Sequence, residues 1–220
     1  DTFAASGRIA LPIGQSGYFD LTAFHRFHDE SQQGGADIRL VNIDGTPKAG
    51  LPTAWQSIPG YPNLNKILGD ARSFLTAGFY NAGYDFGGVE LYGFGSYSRR
   101  IAQSNGNYVL PNAISRTVAG VTTFPYPNGF TPALELVEDD YSVTTGIRGE
   151  TSGWNWDLSG TYGSDKNVFN TINSANGSLY KDTGFTPSEF YDGTLTATQF
   201  TGNLDVSHQM EVGLAKPLNI

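Results

Sequence analysis

Few residues in this chain have both the type and the spacing for chemistry. His25 and His28 stand three apart in an alternating segment. Their side chains therefore point to opposite faces and cannot share a metal there. His208 falls among apolar residues of a long alternating run, which suits an interface residue better than a ligand. Asp139 and Asp140 are adjacent at an expected loop-to-strand join. They read as a solvated pair, because a full oxygen shell for Ca²⁺ is not visible around them. No Ser–His–Asp spacing suggests a triad. Cysteine is absent, so there is neither a disulfide framework nor a thiol site. These residues give no catalytic group, no metal ligand and no cofactor site, and the chain is not expected to be an enzyme.

The remaining candidates are aromatics in the irregular stretches: Trp55, Tyr61, Tyr108, Phe124, Tyr126, Phe130, Tyr180 and Tyr191. Rings on loops held by a rigid scaffold could stack on a glycan or an aryl-bearing solute. Packing of the loops on one another is the competing role for each ring, so no ligand-binding residue is assigned. Arg99 and Arg100 are expected to close a strand at its outward end. Plain solvation is their default role.

The elements that would carry these residues are strands. From Asp140 to Glu150, Tyr141, Val143, Thr145, Ile147 and Gly149 alternate with Asp140, Ser142, Thr144, Arg148 and Glu150. After the turn Thr151-Ser152-Gly153, Trp154, Trp156, Leu158, Gly160 and Tyr162 alternate with Asn155, Asp157, Ser159 and Thr161. Period two over this length means β-strand. Arms of about ten residues can cross a hydrocarbon layer when tilted about 45°. Aromatics at both ends of the arms suit two membrane–water interfaces.

Similar pairs are read at Thr2–Leu11 with Tyr18–His28, and at Arg72–Phe86 with Val89–Arg100. Leu195–Leu214 is read as the longest strand, and Leu218-Asn219-Ile220 as the stub of another. Tight turns at 12–17, 87–88, 151–153 and 215–217 alternate with long stretches at 29–70, 101–137 and 167–193. Compact two-layer β-domains seldom carry such long connections. Outer-membrane barrels do, with short periplasmic turns and long extracellular loops.

Composition agrees. Of 220 residues only 15% are charged, 13% are aromatic and 28 are glycine. No apolar run is long enough for a spanning helix. A net charge of −8 argues against a nucleic-acid partner. The expected class is all-β, an antiparallel transmembrane barrel segment of about seven strands plus a stub. Residues 1–220 form part of one barrel domain, and the strands that close it must come from elsewhere, because open edges in lipid leave backbone groups unpaired.

The sequence also resembles a known family. Val89–Arg100 is similar to a barrel strand of TonB-dependent outer-membrane receptors. So are Tyr126–Pro132 followed by Asp139–Ser142, and Gly146–Glu150 with Gly153–Ser159 and Tyr162-Gly163. Asn173–Asn176, Phe190–Gly193, Asn203–Ser207 and Val212–Asn219 extend the resemblance over nearly the whole chain, more weakly from Asp1 to Asp70. It implies a 22-stranded barrel closed by an amino-terminal plug that binds TonB, in the bacterial outer membrane. It also implies uptake of a scarce solute of the siderophore, cobalamin or glycan class. Neither plug nor TonB box is present in these residues. Implied partners are outer-membrane lipid and lipopolysaccharide, TonB through the plug, and the small-molecule or glycan substrate. A passive porin or structural barrel is the alternative; a small-barrel hydrolase and a soluble β-sandwich are more distant ones.

Overall fold

The computed structural model describes residues 1–213 and 216–220. Seven long strands and a two-residue stub form one antiparallel sheet: β1 (Thr2–Ile13), β2 (Gly17–His28), β3 (Arg72–Asp85), β4 (Val89–Asn105), β7 (Ala133–Thr151), β8 (Trp154–Ile172), β9 (Phe190–Met210) and β10 (Leu218–Asn219). Spatial order follows chain order, β1-β2-β3-β4-β7-β8-β9-β10, so the sheet is a meander, open at β1 and β10. A small second hairpin, β5 (Arg116–Val118) with β6 (Val121–Thr123), lies in one connection. The other elements are a 3₁₀ turn at Thr53–Ser57 and one short helix, α1 (Gly177–Thr183). Among the described residues no helix is long and apolar enough to cross a membrane.

Several strands outrun their expected bounds. β4 continues past Arg100 to Asn105, and β7 starts at Ala133, so the second long connection shrinks to 106–132. β8 continues to Ile172 and β9 starts at Phe190, which leaves 173–189 as the third. Asp139 and Asp140 are therefore mid-strand residues on opposite faces of β7, not members of a loop join. Arg99 and Arg100 likewise diverge to opposite faces inside β4. The polar ends of these strands carry no apolar alternation, yet their backbones pair, because the neighbouring strand offers a ladder whatever the side chains are. β9 ends at Met210; Leu214 and Ala215, part of the expected strand end and turn, lie outside the described residues.

The two faces of the sheet differ sharply. One row, read across paired Cα positions, is Ile13, Gly17, Tyr84, Leu91, Ile147, Leu158 and Leu204. Another pairs Tyr97 with Tyr141. No Asp, Glu, Lys or Arg stands on this face between the Tyr97–Tyr141 row and the tight turns. On the opposite face the same stretch carries Arg8, Asp20, Asp85, Glu90, Arg148, Glu150, Asp157 and Asp205. Among the described residues nothing packs on the apolar face: Leu158 is 50% exposed, Leu204 66% and Phe200 74%. Burial of such side chains is normally what stabilises a sheet, at about 25 cal/mol per Å². Here the packed hydrophobic core lies elsewhere, in the connections.

The register is also staggered. In the row just described, Gly17 opens β2, Tyr84 is one residue from the end of β3, and Leu204 is six residues from the end of β9. Six residues of slip over the five steps from β2 to β9 is about 20 Å along the strands for about 24 Å across them. If the tight turns share one level, the strands tilt by about 40°, within the range of closed barrels.

Candidate functional site

All the tight turns lie at one end of the sheet and the three long connections at the other. Those connections fold together. In the first, Asp44-Gly45 makes a turn, with Gly45 at positive φ, and closes a short ladder in which Asn42 N donates to Thr46 O (2.8 Å) and Lys48 N to Leu40 O (2.9 Å). This buries Leu40 and Val41 against Trp55 and Ile58, with Leu51, Tyr61 and Leu64 around them and Leu110 reaching in from the second connection.

Polar contacts join the same parts. The Asp37 carboxylate, almost wholly buried, accepts from Arg39 Nη2 at 2.6 Å and from Arg39 Nε at 2.9 Å. Arg39 Nη2 also donates to the Tyr108 carbonyl (2.8 Å), and Asn65 Oδ1 accepts from Tyr108 N (3.0 Å). The hydrogen bonds from Arg39 hold the Asp37 carboxyl below its ordinary pKa. Burial pushes the Tyr108 phenol up; its hydroxyl donates to Asn128 O. The second connection grips the third in the same way. Tyr126 donates to Ser174 O (3.0 Å), Tyr180 to Thr123 Oγ1 (3.2 Å) and Asn173 Nδ2 to Thr131 O (2.6 Å). α1 is capped by Asn176, whose side chain accepts from Leu179 N, and ended by Gly184 at φ 81°.

The eight aromatic candidates separate cleanly. Trp55, Tyr108, Phe130 and Tyr180 are buried, and Tyr61 and Tyr126 half-buried, in this cap. Packing is their role here. Phe124 and Tyr191 face solvent, Tyr191 at 68% exposure. The open surface of the cap is formed instead by residues that ring type did not single out. Ile38 and Ile43 stand fully or nearly fully exposed beside a hollow of about 780 Å³ that Ala36, Val41 and Asp44 also line. On the other side of Ile38, Arg39, Asn65 and Asn107 line a second hollow of about 360 Å³. The Ile-Arg-Leu-Val-Asn-Ile run leading into the turn pair Asp44-Gly45 was the available signal.

A second constellation occupies the polar face near the tight turns. Arg148 pairs with Glu90 (2.7 Å) and lies 5.2 Å over the Tyr92 ring. Tyr92 donates to Asp157 Oδ1 at 2.7 Å, and Asp157 directly opposes Asp205 in the next strand. Arg148, Asn155, Asp157, Asp205 and Ser207 line a hollow of about 480 Å³. The ring of Tyr92 sits where a β-carbon of Gly146 would be, and Tyr18 and Gly83 repeat the arrangement. At Tyr92 the cross-strand glycine leaves room for an aromatic on the polar face of β4. Phe79, also on the polar face, opposes Thr22 and Ser96 instead, and Phe94 opposes Asn81 and Thr144.

The histidines do not converge. His25 Nδ1 bonds Thr76 Oγ1 (2.9 Å) on the apolar face, and His28 Nδ1 bonds Thr2 Oγ1 (2.7 Å) on the polar one. His208 stacks on Trp154 and bonds Gly153 O (2.6 Å). Among the described residues no three of His, Asp and Glu are grouped to hold a metal. Between them the two sites offer hydrogen-bonding groups, the cations Arg39, Lys48 and Arg148, and apolar contact. No family model, no curated protein and no solved structure matches this chain.

Proposed function

We propose that the sheet is a stretch of wall of a membrane-spanning β-barrel in the bacterial outer membrane, and that the barrel takes up a scarce solute as a TonB-dependent receptor. One observation carries the membrane part. The face without a single Asp, Glu, Lys or Arg over the turn half is also the face that nothing covers. In water such an uncovered surface would be an aggregation liability. In hydrocarbon it costs nothing, and the strand tilt of about 40° matches what a barrel needs. In that setting the open edges of the sheet, at β1 and at β10 with the unpaired length of β9, require pairing by further strands.

The receptor part rests on the resemblance of the strand and turn sequences, together with the cap. In the cap the first and second connections share a hydrophobic core, and hydrogen bonds tie the third to the second. Such a cap suits a receptor, because a preorganised surface binds without first losing conformational entropy. The solute would meet Ile38, Ile43, Arg39, Asn65 and Asn107 at the cap and the charged polar face below it. A passive porin is the second reading.

Two measurements test this. Carbonate washing of bacterial membranes should leave the protein in the pellet, and detergent should release it; release by carbonate alone sinks the membrane reading. Uptake of the cognate solute should stop when the proton-motive force is collapsed. Uptake that continues by diffusion would leave a porin.

A further inference from the structure

Charge is unevenly shared between the cap and the wall. Between residues 36 and 68 the first connection carries Arg39, Lys48 and Lys66 against Asp37 and Asp44. From residue 106 to 132 the second carries Arg116 and no Asp or Glu. The two stretches that share the cap core therefore hold four cations and two acids, on a chain of net charge −8. Both acids are already engaged. Asp37 is held by Arg39, and Asp44 Oδ1 accepts from Thr46 N (3.0 Å) and from Thr46 Oγ1 (2.6 Å). The donors facing the hollows are not. Lys48 makes no ion pair among the described residues, and Arg39 Nη1 and Asn107 Nδ2 donate to no protein group there. Lys48 lines the larger hollow, and Arg39 and Asn107 line the smaller, with Ile38 between them.

We infer that the solute taken up is an amphipathic organic anion, with its apolar body across Ile38 and Ile43 and its acid head on Lys48. The inference rests on the receptor reading above, whose solute it narrows. Three observations support it. The exposed side chains at the hollows are apolar: Ile43 projects wholly into solvent, and Ile38 and Leu68 are exposed as well. Covering them supplies affinity without regard to charge, and the free cation then selects the sign of the head. Arg39 Nη1 and Asn107 Nδ2 remain for polar substituents at the far end. The larger hollow, about 780 Å³, has the size of a small-molecule site. No aromatic ring lines either hollow, so a neutral sugar finds no stacking platform in them. Trp55 and Tyr108, the rings nearest in sequence to these linings, are spent in the core below.

The test is equilibrium dialysis of the full-length protein in lipid nanodiscs, with empty nanodiscs as the blank. The probes are naphthylbutyrate, the matching alcohol, the matching amine and maltotriose. Naphthylbutyrate should be retained above the blank, and the other three at least about tenfold more weakly. Lys48→Glu should weaken its retention about fivefold, and added salt should do the same to the parent. Ile43→Ser, at a side chain that no protein atom covers, should weaken it about fivefold as well. Lys181→Ala, on α1, should bind as the parent does. Both test positions are exposed, so neither substitution disturbs the cap core. Equal retention of the alcohol or the amine, no retention of naphthylbutyrate, or unchanged binding by both variants overturns the inference while the receptor reading stands. Uptake that survives collapse of the proton-motive force overturns the receptor reading, and with it the claim that such an anion is the solute carried.

Discussion

Tyr92 and Gly146 face each other across β4 and β7, and the phenol ring fills the space that a β-carbon on Gly146 would take, 2.5 Å from its nearest atoms. The ring cannot retreat, because its hydroxyl is held by Asp157 and its upper surface is covered by Arg148. Glycine is thus required by a neighbour 54 positions away rather than by its own backbone angles. Substituting Gly146→Val should displace the ring and cost about 1–3 kcal/mol, as overpacking does. Tyr92→Phe should cost about 1 kcal/mol by removing one hydrogen bond. Urea unfolding of protein refolded in lipid vesicles would measure both. If Gly146→Val matched the parent, the ring-over-glycine contact would carry no stability.

Leu158 and Ser159 are consecutive but lie on opposite faces. Leu158→Arg places a charge on the uncovered apolar face and should cost about 2–4 kcal/mol in a bilayer. Ser159→Arg, on the polar face, should stay within about 1 kcal/mol. Folding yield into vesicles, read by heat-modifiable gel mobility, separates the two. Equal effects would mean that both faces meet water.

The cap has its own core, so it should fail on its own. Trp55→Ala removes the largest ring of that core and should cost the cap about 3–5 kcal/mol. Limited proteolysis should then cut within residues 29–71 while β7, β8 and β9 stay protected. Simultaneous loss of the sheet would show that cap and wall unfold as one unit.

The Asp37–Arg39 pair makes cap stability depend on acid. The folded-state pKa of Asp37 is depressed by Arg39. Its contribution is therefore present above the ordinary aspartate value, about 3.9, and is lost as pH falls through the lower folded value. Proteolytic or hydrogen-exchange protection of residues 36–48 should hold at pH 5–7 and drop below about pH 4. Asp37→Asn should weaken protection at neutral pH and flatten that acid step. Identical pH profiles for variant and parent would contradict the linkage.

The period-two alternation at 140–162 determined the strands, their faces and the tight turn between β7 and β8, because a strand sorts its side chains by parity alone. Composition and turn spacing likewise placed short connections at one end and long ones at the other. Local pattern could not show that β4, β7 and β8 run on through Gln103, Glu135 and Asn170. Those residues alternate poorly and are strand only because a partner strand is already there. Nor could it show the six-residue stagger, Tyr92 over Gly146, or Trp55 and Leu110 meeting in one core. Each depends on which distant segments become neighbours. That choice is made by register and chain closure over tens of residues, and no window of ten contains it.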